Sequence, residues 1–178
     1  MFKYSFIIPT YNNKKPLINT LEALNYQDGF GKSDYEVIVV DDGSNDNTYE
    51  YIKGINRNYQ LKYIYLERND RACRSRTRNF GWRAAEGEML VFIDSDIIVK
   101  NDYLKEIQRC VDMEKNVIVF STRLMLTEEV SAEQAMSGDV DGKNKEFFEE
   151  RHFIFDKTSY NISLHPAEWI FVFSCNFA

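Results

Sequence analysis

The sequence predicts an α/β fold, a mostly parallel sheet with helices on both faces, and three observations predict it. Strand-like and helix-like segments alternate through the first two-thirds of the 178 residues, the rhythm of successive crossover units. The strand-like runs are apolar at nearly every position rather than at alternate ones, as strands covered on both faces are. Three runs stop on polar clusters, Pro9-Thr10-Tyr11-Asn12, Asp41-Asp42 and Asp94-Ser95-Asp96. In such sheets ligands sit outside the carboxyl ends of the strands.

The elements follow in order. Tyr4–Ile8 is a short apolar run closed by Pro9, a residue that cannot donate to a sheet ladder. Leu17, Leu21 and Leu24, with Ile18 beside them, recur at helical spacing. Tyr35–Val40 is an almost unbroken β-branched run that enters a turn at Asp41-Asp42-Gly43-Ser44. Ser44 or Asp46 can cap a helix carrying Tyr49, Ile52 and Ile55. Leu61–Leu66 is the next strand. A helix runs roughly from Arg74 to Glu86 with Gly87 as its stop, and Met89–Ile93 is the strand that ends at Asp94. Asn101 or Asp102 caps a further helix with Leu104, Ile107 and Val111 inward, and Val117–Phe120 is a strand. The pattern then decays into a turn-rich and charged stretch, and Trp169–Phe173 is again strand-like. The sequence has no internal repeat and no low-complexity tract.

Composition narrows the class of function. The apolar share of 44% is enough for the core of one domain. A net charge of −6 argues against a nucleic-acid partner, because a phosphate backbone needs a basic face. No apolar stretch reaches the length of a membrane span, and the start lacks the features of a signal peptide. Cys73, Cys110 and Cys175 are odd in number and scattered. They read as thiols of a reducing compartment, which makes the cytoplasm the expected location.

The strand ends carry the chemistry. An apolar run that stops on Asp94 and Asp96 puts carboxylates at the lip of a crevice, and two carboxylates one residue apart suit Mg²⁺ or Mn²⁺ held against substrate phosphates. Both point the same way only if the chain stays extended through Ser95. A nucleotide-sugar is the substrate such a site suggests, with the cation neutralising the leaving diphosphate. Tyr11 offers a flat face for a base, or simply packs. Asp41 and Asp42 can accept from a base N–H or a ribose hydroxyl, or serve as favourable charge at a helix N-terminus. The segment 68–79 is the basic exception in an acidic chain. Arg74 and Arg78 share a helical face, and arginines at a helix start oppose its dipole. Arg71 and Arg74 fit either a diphosphate or an acidic sugar, through paired hydrogen bonds, or salt bridges to nearby acids. Arg76, on another face, is expected in solvent. His152 and His165 are isolated, and no Ser-His-Asp array, Gly-x-Gly-x-x-Gly or phosphate loop is present.

Taken together, Phe6–Asn12, Val39–Ser44, Arg78-Asn79 and Phe92–Asp96 resemble the motifs of family 2 glycosyltransferases of the GT-A fold, in the family's order. The stretches Asp70–Gly81 and Phe173–Ala178 are similar to chondroitin-polymerase-like and galactosyltransferase-like members. The resemblance implies an inverting transfer from a nucleotide-sugar, usually a UDP-sugar, with Mn²⁺ or Mg²⁺, to a glycan or lipid-linked acceptor at the cytoplasmic face of a membrane. It implies that Pro9, Thr10 and Tyr11 line the base and that Asp42 binds it, with Asp41 beside it. Arg78 would hold the helix beneath the diphosphate or touch the nucleotide, Asp94 would face the ribose or a metal-bound water, and Asp96 would be the main metal ligand. Residues 1–126 would form the donor-binding half, 127–168 an excursion over the site, and 169–178 the start of the acceptor side. The family's general base is expected past Ala178, and no carboxylate here matches its motif. Glu168 is a poor substitute. The alternative is a non-catalytic nucleotide-diphosphate-binding fragment that lacks this base. A sugar nucleotidyltransferase would need glycines after the first strand, where Asn12-Asn13-Lys14-Lys15 stand instead.

Overall fold

The computed structural model describes residues 1–113, 118–119, 121, 125–126, 128, 131–137, 144–145 and 176–177. Its elements are β1 (Phe2–Thr10), α1 (Lys14–Leu24), β2 (Tyr35–Asp41), α2 (Thr48–Ile52), β3 (Gln60–Tyr65), α3 (Arg74–Ala84), β4 (Gly87–Ile93), α4 (Tyr103–Met113), β5 (Met125–Leu126), α5 (Ala132–Ser137), β6 (Asn144–Lys145) and β7 (Asn176–Phe177). The main sheet has the order β3-β2-β1-β4-β7, and β5 pairs with β6 in a small second sheet. Strands β1 to β4 are parallel, as the sequence predicts. Strand β7 runs antiparallel to β4, with Phe177 opposite Phe92 and Asn176 opposite Ile93. That pairing takes the outer edge of β4. Of the strand expected over 117–120, the described residues Ile118 and Val119 lie outside any strand. The run 169–173, both histidines and Glu168 lie outside the described residues.

Period-two alternation sends each strand's side chains to two faces. On one face Tyr4, Phe6, Ile8, Val37, Val39, Val91 and Ile93 pack with Leu17, Leu21 and Leu24 of α1, Ile52 of α2, and Leu104 and Ile107 of α4. The end of α1 is held by two buried phenols. Tyr35 Oη donates to Leu24 O at 2.6 Å and Tyr59 Oη to Leu21 O at 3.0 Å. On the other face Ile38, Val40 and Leu66 meet Ala84 and Ala85 at the end of α3. Helix α3 lies close because Gly81 has no side chain. A Cβ there would stand 2.4 Å from Ile7 Cγ2 and 3.3 Å from Val40 Cγ2.

Two expectations about boundaries change. Pro9 does not close the first strand. Pairing with β4 stops at Ile7 opposite Phe92, while pairing with β2 continues to Thr10 opposite Asp41. Gly87 is not a helix stop but the first residue of β4. It is glycine because Ser5 Oγ would lie 2.6 Å from any Cβ there.

The amino ends of the strands are tied by a polar network. Glu36, fully buried, accepts from Ser5 Oγ at 2.6 Å and from the Glu86 N–H at 2.6 Å. Lys62 Nζ lies 2.8 Å from its other oxygen and 2.6 Å from Glu86. Burial alone would raise the Glu36 carboxyl, but Lys62, the Ser5 hydroxyl and the Glu86 N–H outweigh it and hold it below its ordinary value.

The functional end is the opposite one. From β1 the chain runs outward through β2 to β3 and then crosses back to place β4 on the other side of β1. The carboxyl ends of β1 and β4 therefore flank a switch point, where open α/β sheets form a crevice.

Two predictions test this packing. Gly81→Ala should destabilise the chain by about 1–3 kcal/mol through overpacking against Ile7, outweighing the roughly 1 kcal/mol that alanine contributes as a better helix former; urea unfolding reads the difference. A carboxyl held low in the fold contributes stability that is full above the ordinary carboxylate range and is lost as pH falls through its lowered folded value. Glu36→Gln should therefore destabilise the chain fully from neutral pH down to about pH 5, and the gap from wild type should narrow only below about pH 4 in unfolding midpoints measured through that range.

Candidate functional site

The three polar strand ends meet and are stitched together by side chains. Asn12, in the left-handed region at φ 45°, accepts the Asn45 N–H on its Oδ1 at 2.9 Å, and its own N–H donates to Ser44 Oγ at 2.8 Å. These bonds lock the exit of β1 to the exit of β2. Asn13 Nδ2 donates to Ser95 Oγ at 2.9 Å and ties the exit of β1 to that of β4. A cleft of about 390 Å³ opens between them, bounded by Pro9, Thr10 and Tyr11 on one side and Asp94, Ser95 and Asp96 on the other. Asp42, Arg68, Arg74 and Thr77 are also in its wall.

The two neighbouring aspartates of β2 part company. Asp41 is fully buried and does not line this cleft. One of its oxygens accepts the Ser44 N–H at 2.7 Å and the other accepts from the Tyr63 hydroxyl. Its carboxylate therefore holds the turn. The Tyr63 phenol is pushed up by burial and by Asp41. Asp42 turns into the cleft, where Arg76 Nη1 lies 3.1 Å from Oδ1 and Arg68 Nη1 lies 3.4 Å from Oδ2. Arg68 also places its guanidinium carbon 3.6 Å from the centroid of the Tyr11 ring, itself 44% exposed.

Helix α3 supplies the other cations. Its first turn is capped by Cys73, in extended backbone, whose Sγ accepts the Arg76 N–H at 3.4 Å. Arg76 is not in solvent as its place on the helix suggests. Its side chain leaves the flank of α3 and reaches both Asp42 and the carbonyl of Glu67. Arg78 Nη2 donates to Asp94 Oδ1 at 2.8 Å. Arg74 is exposed and lines the cleft, whereas Arg71 is exposed outside it. Sequence reasoning missed Arg68 and Arg76 because their partners are long-range; the one local sign was the density of arginine between 68 and 78 in an acidic chain.

After Ile93 the chain does not remain extended. Ser95 and Asp96 form a turn in which the Ile97 N–H donates to Asp94 O at 3.3 Å. Both carboxylates still face the cleft. The electrostatic result is simple. Asp42 and Asp94 are held by guanidinium groups, while Asp96 and Arg74 have no ion pair among the described residues. Among the described residues the cleft thus presents one exposed carboxylate and one exposed guanidinium that are outside any ion pair. No group of three or more acidic, His or Cys side chains gathers among the described residues. Two carboxylate-bearing residues fit a hard cation that takes one or two protein oxygens and completes its shell from water and phosphate. No helix among the described residues is long and apolar enough to cross a membrane.

Comparison with known proteins gives the site a family. Residues 5–166 match the family model "Glycosyl transferase family 2". The poly(ribitol-phosphate) β-N-acetylglucosaminyltransferase TarS of Staphylococcus aureus is 38% identical over 112 residues, covering 63% of this chain and 19% of TarS. The chondroitin synthase of Escherichia coli is 32% identical over 120 residues, 67% of this chain and 17% of that protein. The crystal structure of TarS 1–349 in complex with UDP-GlcNAc superposes with a TM-score of 0.62 at 31% identity, covering 72% of this chain and 39% of that one. The chain spans about a fifth of the length of these two curated relatives. With strand order, switch-point cleft and family match in agreement, the chain belongs to glycosyl transferase family 2 and has the GT-A fold.

Proposed function

We propose that this chain binds the nucleotide-sugar donor of a glycosyl transfer, with UDP as its nucleotide, and delivers the sugar to a glycan or lipid-linked acceptor with inversion. The observation that carries the reading is the cleft's sequence of surfaces: an aromatic face, a held carboxylate, an exposed guanidinium and an exposed carboxylate, all at the switch point. That sequence matches the parts of a donor, which are base, diphosphate and cation. The UDP-GlcNAc bound by the related TarS supports uridine.

In this reading Tyr11 stacks the base and Asp42 accepts its N–H, with Arg76 fixing the carboxylate. Pro9 and Thr10 close the edge of the base subsite. Arg74 binds diphosphate oxygens through paired N–H groups. Asp96, with Asp94 beside it, would hold Mg²⁺ or Mn²⁺, and Arg78 orients Asp94. When bound, the cation supplies Lewis-acid neutralisation of charge on the leaving diphosphate. An inverting displacement also needs a base for the acceptor hydroxyl. Asp42 and Asp94 are committed to arginine pairs and Asp96 to the cation, so that base comes from outside the described residues. Cys73 and Cys110 are free thiols, which suits a reducing, cytoplasmic setting.

Calorimetric titration of UDP with Mn²⁺, then with EDTA, and of GDP as control, tests the reading. Uridine-selective binding that weakens in EDTA is the expected result, and equal heats for UDP and GDP would contradict it. Asp96→Asn should remove the dependence on Mn²⁺ without altering the unfolding midpoint. Tyr11→Ala should weaken UDP by about 1–3 kcal/mol, the size of a base–aromatic stack; an unchanged affinity would reduce Tyr11 to a packing residue.

A further inference from the structure

Arg68 has no part in the chemistry set out above, yet its position is tightly determined. Its backbone is pressed against the turn after β2. Gly43 sits at φ +84°, and a Cβ there would lie 2.7 Å from Arg68 Cβ and 3.0 Å from Arg68 N. From that foothold the side chain runs over Asp42, donating from Nη1 to Asp42 O at 3.2 Å and to Asp42 Oδ2 at 3.4 Å. The guanidinium ends 3.6 Å from the centre of the Tyr11 ring. A planar group that lies on Tyr11 and offers N–H to Asp42 makes the same two contacts as a nucleobase in the donor reading. A base stacked on Tyr11 needs that same layer of space, and the two cannot share one ring face.

We propose that Arg68 competes with the nucleobase for Tyr11 and Asp42 and thereby sets the affinity of the cleft for its donor, an inference that rests on the base subsite described under the proposed function. The geometry around Asp42 makes the exchange feasible. Its Oδ1 is held by Arg76, whose side chain is 19% exposed, whereas the Arg68 side chain on Oδ2 is 45% exposed. Arg68 is the partner that solvent can accept. When it leaves, Arg76 keeps the carboxylate aimed and Oδ2 turns to the base. The contacts given up, a cation on an aromatic face, a half-exposed ion pair and a hydrogen bond to the Asp42 carbonyl, are modest, and together they set a competition of roughly three- to thirty-fold.

The test is calorimetric titration of UDP into the full chain as wild type, Arg68→Met, Arg68→Lys, Tyr11→Ala, and Tyr11→Ala combined with Arg68→Met. Arg68→Met should bind UDP roughly three- to thirty-fold more tightly than wild type, with Arg68→Lys between them. The gain should shrink when Tyr11 is also removed. If wild type binds UDP through Tyr11 and Arg68→Met binds equally or more weakly, the competition is overturned, and weaker binding makes Arg68 a donor contact. Failure of the base subsite itself has a different pattern. UDP would then bind neither wild type nor Arg68→Met, or would ignore Tyr11→Ala, and the competition would fall with it. Arg68→Lys, which keeps the charge and the alkyl packing near Gly43, carries the comparison if the methionine variant fails to fold.

Discussion

The length over which β1 is paired on both sides governs the molecule. From Tyr4 to Ile7 it is paired with both β2 and β4, and beyond Ile7 only β2 remains alongside it. A central strand in a parallel sheet has no freedom until one neighbour lets go. Where β4 does so, the sheet opens into a crevice, and Pro9, Thr10, Tyr11, Asp94, Ser95 and Asp96 stand on the two chain segments released there. Pro9 belongs at this point because the chain is giving up one of its ladders. The close approach of α3 through Gly81 brings the arginine-rich first turn of that helix over the same opening.

Charge is distributed by the same logic. The chain as a whole is acidic at −6, yet guanidinium groups crowd the cleft beside the ends of β1 and β4, and most of them serve the protein's own carboxylates. Arg76 and Arg78 are under a fifth exposed, and each is bonded to an aspartate at a strand exit. Their work is orientation. A carboxylate gripped on one oxygen by a buried guanidinium cannot rotate freely, and it meets a ligand already aimed. Arg74 and Asp96, both exposed, are in no ion pair among the described residues.

Much of this was legible in the sequence, because the signals are local. An apolar run that ends on a polar cluster is visible within ten residues, and three such runs foretell three strand exits on one edge. The order of the motifs reached the family as well. What could not be read depends on distance. Asp42 meets Arg68 and Arg76 across 26 and 34 residues, and spacing along α3 put Arg76 on an outward face. Asp41 and Asp42 are indistinguishable in sequence, but one is consumed by a turn and by Tyr63 while its neighbour faces the cleft. The turn at Ser95-Asp96 likewise shows that two carboxylates can share a cleft without the extended backbone that the spacing alone would require. Antiparallel β7 escaped prediction because two residues carry no periodicity.

Lys62 has a consequence at the far margin of the sheet. Among the described strands β3 is an outer one, partly exposed along most of its length, and such an edge invites another chain to add itself as a further strand. Lys62 sits in the middle of β3 with its ammonium turned inward to a fully buried carboxylate. An inward-pointing charge on an outer strand makes stacking of a second sheet margin against it unfavourable, since the incoming chain would have to strip water from an ion pair that is only partly covered. The residue that ties the amino ends of the strands together also guards the sheet against growing by recruitment of its own copies.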